Sequence, residues 1–163
     1  MKVVCITGTP GTGKTTLSKR LASKLGFYYF DVNEFISKNK LSGGFDKKRK
    51  SKIIDTKKLN LSITKKLGEL KKKKIKGVVI DSHLSHYLPR KNVDVCIVVK
   101  CDIKELNKRL LKRKYSRQKI DENLQAQIFD VCGEEARSAK YKVLIIDGSK
   151  AFNIKSIASK IGD

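Results

Sequence analysis

Acidic residues are scarce. Sixteen Asp and Glu stand against 38 Lys and Arg in a chain of 163 residues, a formal charge of +22. So large an imbalance excludes indifference to polyanions: RNA above all would be drawn in by counterion release and long-range steering. A second reading is compositional bias of the kind seen in lysine-rich thermophile proteomes. Long apolar runs are missing too. Nothing approaches the roughly 18 residues of a membrane span, and Val3 to Ile6 is too short for a signal-peptide core; a cytoplasmic protein with no membrane partner is expected. Paired CxxC spacings are absent, so Cys5, Cys96, Cys101 and Cys132 are expected to be buried, reduced thiols rather than metal ligands. Aromatics do not interleave the two basic clusters, Lys47 to Lys52 and Lys71 to Lys76, which argues against a base-stacking platform. The second cluster ends an amphipathic helix, where cations suit the dipole. The first sits in a loop and is the better candidate for a phosphate or RNA contact. Without repeats or linkers, one domain is expected.

Strand and helix patterns alternate along the chain. Lys2 to Thr7 reads as a buried strand, and Thr15 to Leu25 as a helix with Leu17, Leu21 and Leu25 on one side and Gly26 as its stop. Phe27 to Phe30 is a short second strand. Asp31 is a plausible N-cap for a short helix, and Leu41 to Ser51 reads as a loop. Asp55 to Lys73 is helical, with Leu59, Ile63, Leu67 and Leu70 aligned. Gly77 to Asp81, Val93 to Lys100 and Tyr141 to Asp147 are continuous apolar strands of the doubly covered, parallel kind. Helices Ile103 to Leu111 and Ile120 to Ala139 flank a basic turn, and Ala151 to Ile161 closes the chain. Five such strands with intervening helices predict an α/β fold, a parallel sheet covered on both faces by right-handed crossovers.

The turn after the first strand carries the chemistry. Gly8-Thr9-Pro10-Gly11-Thr12-Gly13-Lys14-Thr15 satisfies G-x-x-x-x-G-K-[ST] at each fixed position, between a strand and a helix. Glycines let backbone N–H groups close on phosphate oxygens, and the helix adds its N-terminal partial charge. Lys14 is expected to reach the β- and γ-phosphates, Thr15 to supply a hydroxyl to Mg²⁺, and Thr16 to extend the phosphate-binding turn. Asp81, ending an apolar strand, is the matching carboxylate for the metal. The N-K-x-D guanine reader is missing, which favours ATP; Asp130-Val131-Cys132-Gly133 mimics a switch glycine motif but falls inside a helical segment.

Three stretches, Gly8 to Thr16, Asp81 to Pro89 and Arg109 to Phe129, together with the strand order, resemble the nucleoside monophosphate kinases, and within them the nuclear-type adenylate kinases (isoenzyme 6) and their archaeal relatives. The Asp81-Ser82-His83 pattern and the run from Tyr115 to Leu124 carry that narrower resemblance. It implies a P-loop NTPase fold with sheet order 2-3-1-4-5, a nucleotide-monophosphate arm over residues 31–73 and a short lid over residues 113–121. It also implies adenylate kinase and ATPase activity with ATP and Mg²⁺, AMP as acceptor, and a role in small ribosomal subunit assembly beside a ribosomal protein or rRNA. His83 takes the place of the family's functional histidine. Arg109 and Arg113, four apart on one helix face, resemble the arginine pair before the lid, one stacking on adenine and one steadying the moving phosphoryl charge. Asp147, Gly148 and Ser149 fall where these kinases meet adenine.

The chain departs from conventional adenylate kinases on the acceptor side. Its arm offers Asp31, Glu34 and Lys38 but no arginine before Arg49, the next arginine after Asp81 is Arg90, and Gln125 and Gln127 stand where relatives place charged clamps. Fewer guanidinium forks mean poorer positioning of AMP and weaker exclusion of water, so slow phosphorylation of AMP beside ATP hydrolysis is expected, with His83 orienting the water or moving as a switch. His83 and His86 lack the carboxylate or thiolate company that zinc requires. Two other readings stay open: an ATP-gated assembly factor that docks RNA or a ribosomal protein, and a small-molecule kinase of shikimate or gluconate type, which would need arginines in the arm.

Overall fold

Lys2–Thr7 forms β1, and the chain then runs through α1 (Lys14–Leu25), β2 (Tyr28–Asp31), α2 (Val32–Lys38), a hairpin of β3 (Ser42–Asp46) and β4 (Ser51–Ile54), and α3 (Thr56–Lys72). β5 (Gly77–Asp81) follows, then two short 3-10 turns, β6 (Val95–Lys100), α4 (Ile103–Lys112), α5 (Arg117–Ile128), α6 (Val131–Ser138), β7 (Val143–Asp147) and α7 (Ile154–Gly162). This computed structural model describes residues 1–46 and 51–162. The basic cluster that starts at Lys47 therefore falls largely outside the described residues.

The large sheet is wholly parallel, in the order β2-β5-β1-β6-β7. Counting only its own five strands, that is the expected 2-3-1-4-5. Alternation along each strand divides the core in two. Val3, Cys5, Val78, Ile80, Cys96 and Val98 face α2, α3 and α6, where Ile36, Leu59, Ile63, Leu67 and Ala136 are buried. Val4, Ile6, Val79, Ile97 and Val99 face α1 and α7, meeting Leu17, Leu21, Ile157 and Ile161. Leu17 and Leu21 are fully buried, each contributing on the order of 1.5–3 kcal/mol, and they fix α1 directly behind the turn that precedes it. Leu106, Leu110 and Ile120 clamp α4 to α5 in a third, smaller cluster.

Two expectations need correction. Leu41 to Ser51 is not all loop: Ser42–Asp46 pairs antiparallel with Ser51–Ile54, with a register shift between Ser42 and Gly44. Two adjacent glycines and the bulge hide the period-2 signal. The helix expected over Ile120 to Ala139 is two helices, broken where Asp130 takes a left-handed conformation (φ 51°). Tertiary contacts hold that break. The Asp130 carboxylate accepts from Lys100 on β6 at 2.7 Å and from Arg137 at 2.6 Å, and these partners hold its carboxyl below the usual range against the opposing effect of burial. α5 also starts at Arg117, earlier than expected, because Ser116 caps it through a hydrogen bond from the Lys119 N–H.

Candidate nucleotide site

β1 delivers the chain to the C-terminal edge of the sheet, where ligands of open α/β folds gather. The turn that follows is shaped by what cannot be there. Gly8 (φ 141°) lies so close to β6 that a Cβ would sit 2.4 Å from the Val99 carbonyl oxygen. Gly13 (φ 102°) is the left-handed residue from which α1 starts, with no side-chain cap on the helix, so the N–H groups of the first turn stay available to an anion. Inside the turn the Thr9 carbonyl accepts from Thr12 N–H at 3.3 Å, Thr12 Oγ1 at 2.9 Å and Lys14 Nζ at 3.0 Å. Lys14 is thus folded onto its own loop. Burial lowers its pKa to about 8, against the opposing pull of Asp81.

Asp81 reaches the site from β5, in register with Ile6 on β1 and with Asp31 on β2. It is 5% exposed, and its Oδ2 accepts a hydrogen bond from the Tyr29 hydroxyl at 2.9 Å. Burial, then the neighbouring carboxylates, push the Tyr29 pKa far up, which keeps the phenol a donor. The residues after Asp81 are stapled to β1: Ser82 N–H donates to the Ile6 carbonyl at 3.3 Å, and Ser85 Oγ to the same oxygen at 3.1 Å. That staple presents His83, itself exposed, beside Asp81.

A cleft of about 640 Å³ opens over these elements, lined by Gly8 to Gly11, Gly13 to Thr16, Asp81, His83 and Arg113. This volume is within the usual range for a small-ligand site. Lys14, Thr15, Asp81, His83 and Arg113 are therefore brought together. Thr15 hydroxyl and Asp81 carboxylate are hard oxygen donors on one cleft, the donor type that suits Mg²⁺. Thr12 is buried behind the loop rather than lining the cleft.

Other expected residues fall elsewhere. Arg109 does not share the cleft with Arg113. Its Nε donates to Glu105 at 2.8 Å, and its Nη1 to the Gly148 carbonyl at 2.9 Å and the Gly11 carbonyl at 3.3 Å. The guanidinium ties the P-loop to the turn after β7. Asp147, Gly148 and Ser149 pack against the loop from behind: Gly148 N–H donates to the Lys100 carbonyl, and a Cβ at Gly148 would meet the Thr12 oxygen at 2.0 Å. Asp31 caps α2, accepting from Asn33 N–H at 2.9 Å and Glu34 N–H at 3.1 Å, while Glu34 pairs with Lys38 at 2.6 Å. All three line a second cleft, on the free edge of β2 between α2 and α3. α2 turns Asn33, not these residues, toward the P-loop.

Several residues in or beside the cleft carry no motif. Tyr29, which reaches Asp81 without lining the cleft, reads only as an apolar strand residue. On α5, Lys119, Glu122, Asn123 and Ala126 line the cleft, and their i, i+3, i+4, i+7 spacing is the signal that marks one helix face. Gln125 and Gln127 are off that face and do not line the cleft, whose lining includes Tyr87, Cys132 and Glu135 instead.

The comparisons with known proteins agree with this frame. The family model described as "AAA domain" matches residues 4–130. A Methanocaldococcus jannaschii protein named "Putative adenylate kinase" is 40% identical over 140 residues, covering 86% of this chain and 75% of that protein. A Caenorhabditis elegans protein named "Adenylate kinase isoenzyme 6 homolog" is 37% identical over 136 residues, covering 83% and 72%. Among solved structures, deoxyadenosine kinase from M. mycoides with bound dATP superposes with a TM-score of 0.60 at 16% identity, covering 99% of this chain and 100% of that one, a likeness of fold. The chain belongs to the family of the adenylate kinase isoenzyme 6 homologues.

Proposed function

We propose that the protein transfers the γ-phosphoryl group of ATP to AMP, with hydrolysis of ATP as a competing reaction. The observation that carries this reading is the convergence of Lys14, Thr15 and Asp81, from two neighbouring strands, on one cleft. An oxygen of the AMP phosphate attacks the γ-phosphorus in line, the bond to the β,γ-bridging oxygen breaks, and ADP leaves with that electron pair. Loop N–H groups hold the phosphates. The Lys14 ammonium, exchanging its carbonyl partner for phosphate oxygens, offsets charge building on the leaving side. Thr15 and Asp81 would hold Mg²⁺, which when bound neutralises and orients the β- and γ-phosphates. Arg113, the one arginine lining the cleft among the described residues, is placed to meet charge on the moving group.

The hydrolytic branch has its own support. Beyond the P-loop the cleft is lined by Asn33, Tyr87, Lys119, Asn123 and Glu135, and Arg113 apart these residues give an acceptor phosphate no guanidinium fork. Water then competes for the γ-phosphorus, with exposed His83 beside Asp81 to orient it. The surplus of +22 favours, as a second reading, an ATP-gated role on ribosomal RNA or a small-subunit ribosomal protein. The purified protein with Mg-ATP separates these readings. AMP-dependent formation of ADP supports the kinase. Phosphate release that ignores AMP but rises with ribosomal RNA supports the assembly factor.

A further inference from the structure

β2 and β5 end side by side with Asp31 opposite Asp81. Two carboxylates at the ends of adjacent parallel strands repel each other, and left alone either could turn toward a cation. One hydroxyl stands by both. Tyr29 Oη lies 2.9 Å from Asp81 Oδ2 and 3.4 Å from Asp31 Oδ2. Tyr29 lines the second cleft, on the β2 edge, and not the P-loop cleft, whereas Asp81 lines the P-loop cleft and not the second. The phenol therefore reaches the acid from behind, on the side away from the nucleotide. Its ring is held by the Lys19 ammonium of α1, 5.7 Å from the centroid, so the hydroxyl is supported from two elements. Asp31, meanwhile, is committed through Oδ1 to the N–H groups of Asn33 and Glu34, the second and third residues of α2.

We propose that Tyr29 is a positioning residue for the metal-holding carboxylate: its hydroxyl pins Asp81 Oδ2 beside Asp31, which leaves Asp81 Oδ1 as the oxygen offered to Mg²⁺. The inference rests on the phosphotransfer reading above. No motif contains Tyr29, and nothing in the reaction requires the tyrosine to touch nucleotide or metal. A charge-assisted hydrogen bond of this kind orients a carboxylate at little cost when the cation arrives, because the acid has already surrendered one rotational choice.

The test is Tyr29→Phe, which keeps the ring and removes one oxygen. ATP affinity is measured by calorimetry in EDTA and again in excess Mg²⁺, with melting temperature as a companion. Loss of one hydrogen bond to a charged group predicts that the gain in affinity conferred by Mg²⁺ falls about tenfold. ATP affinity in EDTA should stay near wild type, and the melting temperature should fall by no more than about a few degrees. A Y29F protein that keeps the full Mg²⁺ gain overturns the proposal. So does equal weakening in EDTA and in Mg²⁺ with a lowered melting temperature, the pattern of a merely structural tyrosine. Wild-type protein that binds ATP in neither medium overturns the phosphotransfer reading itself, and this inference with it.

Discussion

Lys14 should take up a proton when a nucleotide binds. Its ammonium is desolvated, its hydrogen-bond partner is the neutral Thr9 carbonyl, and its pKa is lowered to about 8. Phosphate oxygens entering the loop place negative charge on the same nitrogen and restore a pKa at or above the ordinary lysine value. Linkage then fixes the numbers: uptake of about 0.1 proton at pH 7, about 0.5 at pH 8 and about 0.9 at pH 9. Cys132, the nearest thiol on the cleft, is raised above its ordinary value by burial and holds its proton at pH 8 in both states. Calorimetric titration with ADP, without added metal so that nothing turns over, in buffers of different ionisation enthalpy reads the uptake directly. Affinity should also fall as pH rises, by about threefold per pH unit at pH 8 and about eightfold per unit near pH 9. Without nucleotide, the lowered lysine has a second consequence. Between about pH 8 and 10.5 the unfolded chain binds more protons than the folded one, so this group's contribution to stability grows as pH rises through that window. Zero uptake at pH 8 to 9, or proton release, would refute the reasoning.

Lys14→Ala should abolish both AMP phosphorylation and ATP hydrolysis while the melting temperature stays within a few degrees, as coupled assays and calorimetry would show; retention of either activity counts against the assigned role. Gly148→Ala places a methyl group 2.0 Å from the Thr12 oxygen; since the neighbour is backbone, the loop must move, at a cost of about 1–3 kcal/mol, with weaker ATP binding in the same titration. His83→Ala should slow phosphate release at least tenfold with ATP affinity changed by less than twofold, and equal loss of the two would remove the histidine from the hydrolytic step. Arg109→Lys keeps the charge but not the fork that spans Glu105, Gly11 and Gly148, so it should lower both melting temperature and nucleotide affinity, whereas Arg113→Lys should act on kcat with the melting temperature unmoved.

The sheet was legible because parallel strands buried on both faces have to be apolar without interruption. Val3 to Ile6, Val78 to Ile80 and Val95 to Val99 leave no polar alternation to misread. The break at Asp130 was not legible, since it is held by a lysine thirty residues upstream on β6 and an arginine seven residues ahead. Local propensity sees neither. The pair β3 (Ser42–Asp46) and β4 (Ser51–Ile54) was missed for the opposite reason: the glycines of β3 lower strand propensity, and pairing between the two strands supplies what propensity withholds.

The site divides along the same line. Residues held by backbone geometry, Gly8 to Thr15 and Asp81, have fixed spacing because the loop and the strand end do the placing, and a linear motif records that. Residues placed by a helix face or a strand edge have no such record. Arg109 and Arg113 share a face by periodicity, yet one is consumed by two carbonyls and a carboxylate while the other meets the cleft, because α4 ends between them and the P-loop passes closer to the first. Asp31, at the end of β2, and Glu34 on α2 line the second cleft: capping α2 commits Asp31 to N–H groups, and Glu34 and Lys38 satisfy each other. The residue of that helix that lines the P-loop cleft is Asn33, one residue before Glu34, and a rotation of about 100° per residue separates it from the Glu34–Lys38 ion pair. A wall carried by helix faces rather than by a loop therefore leaves no linear motif, and here it sets Asn33, Asn123, Glu122 and Glu135 in one cleft with Arg113 and Lys119.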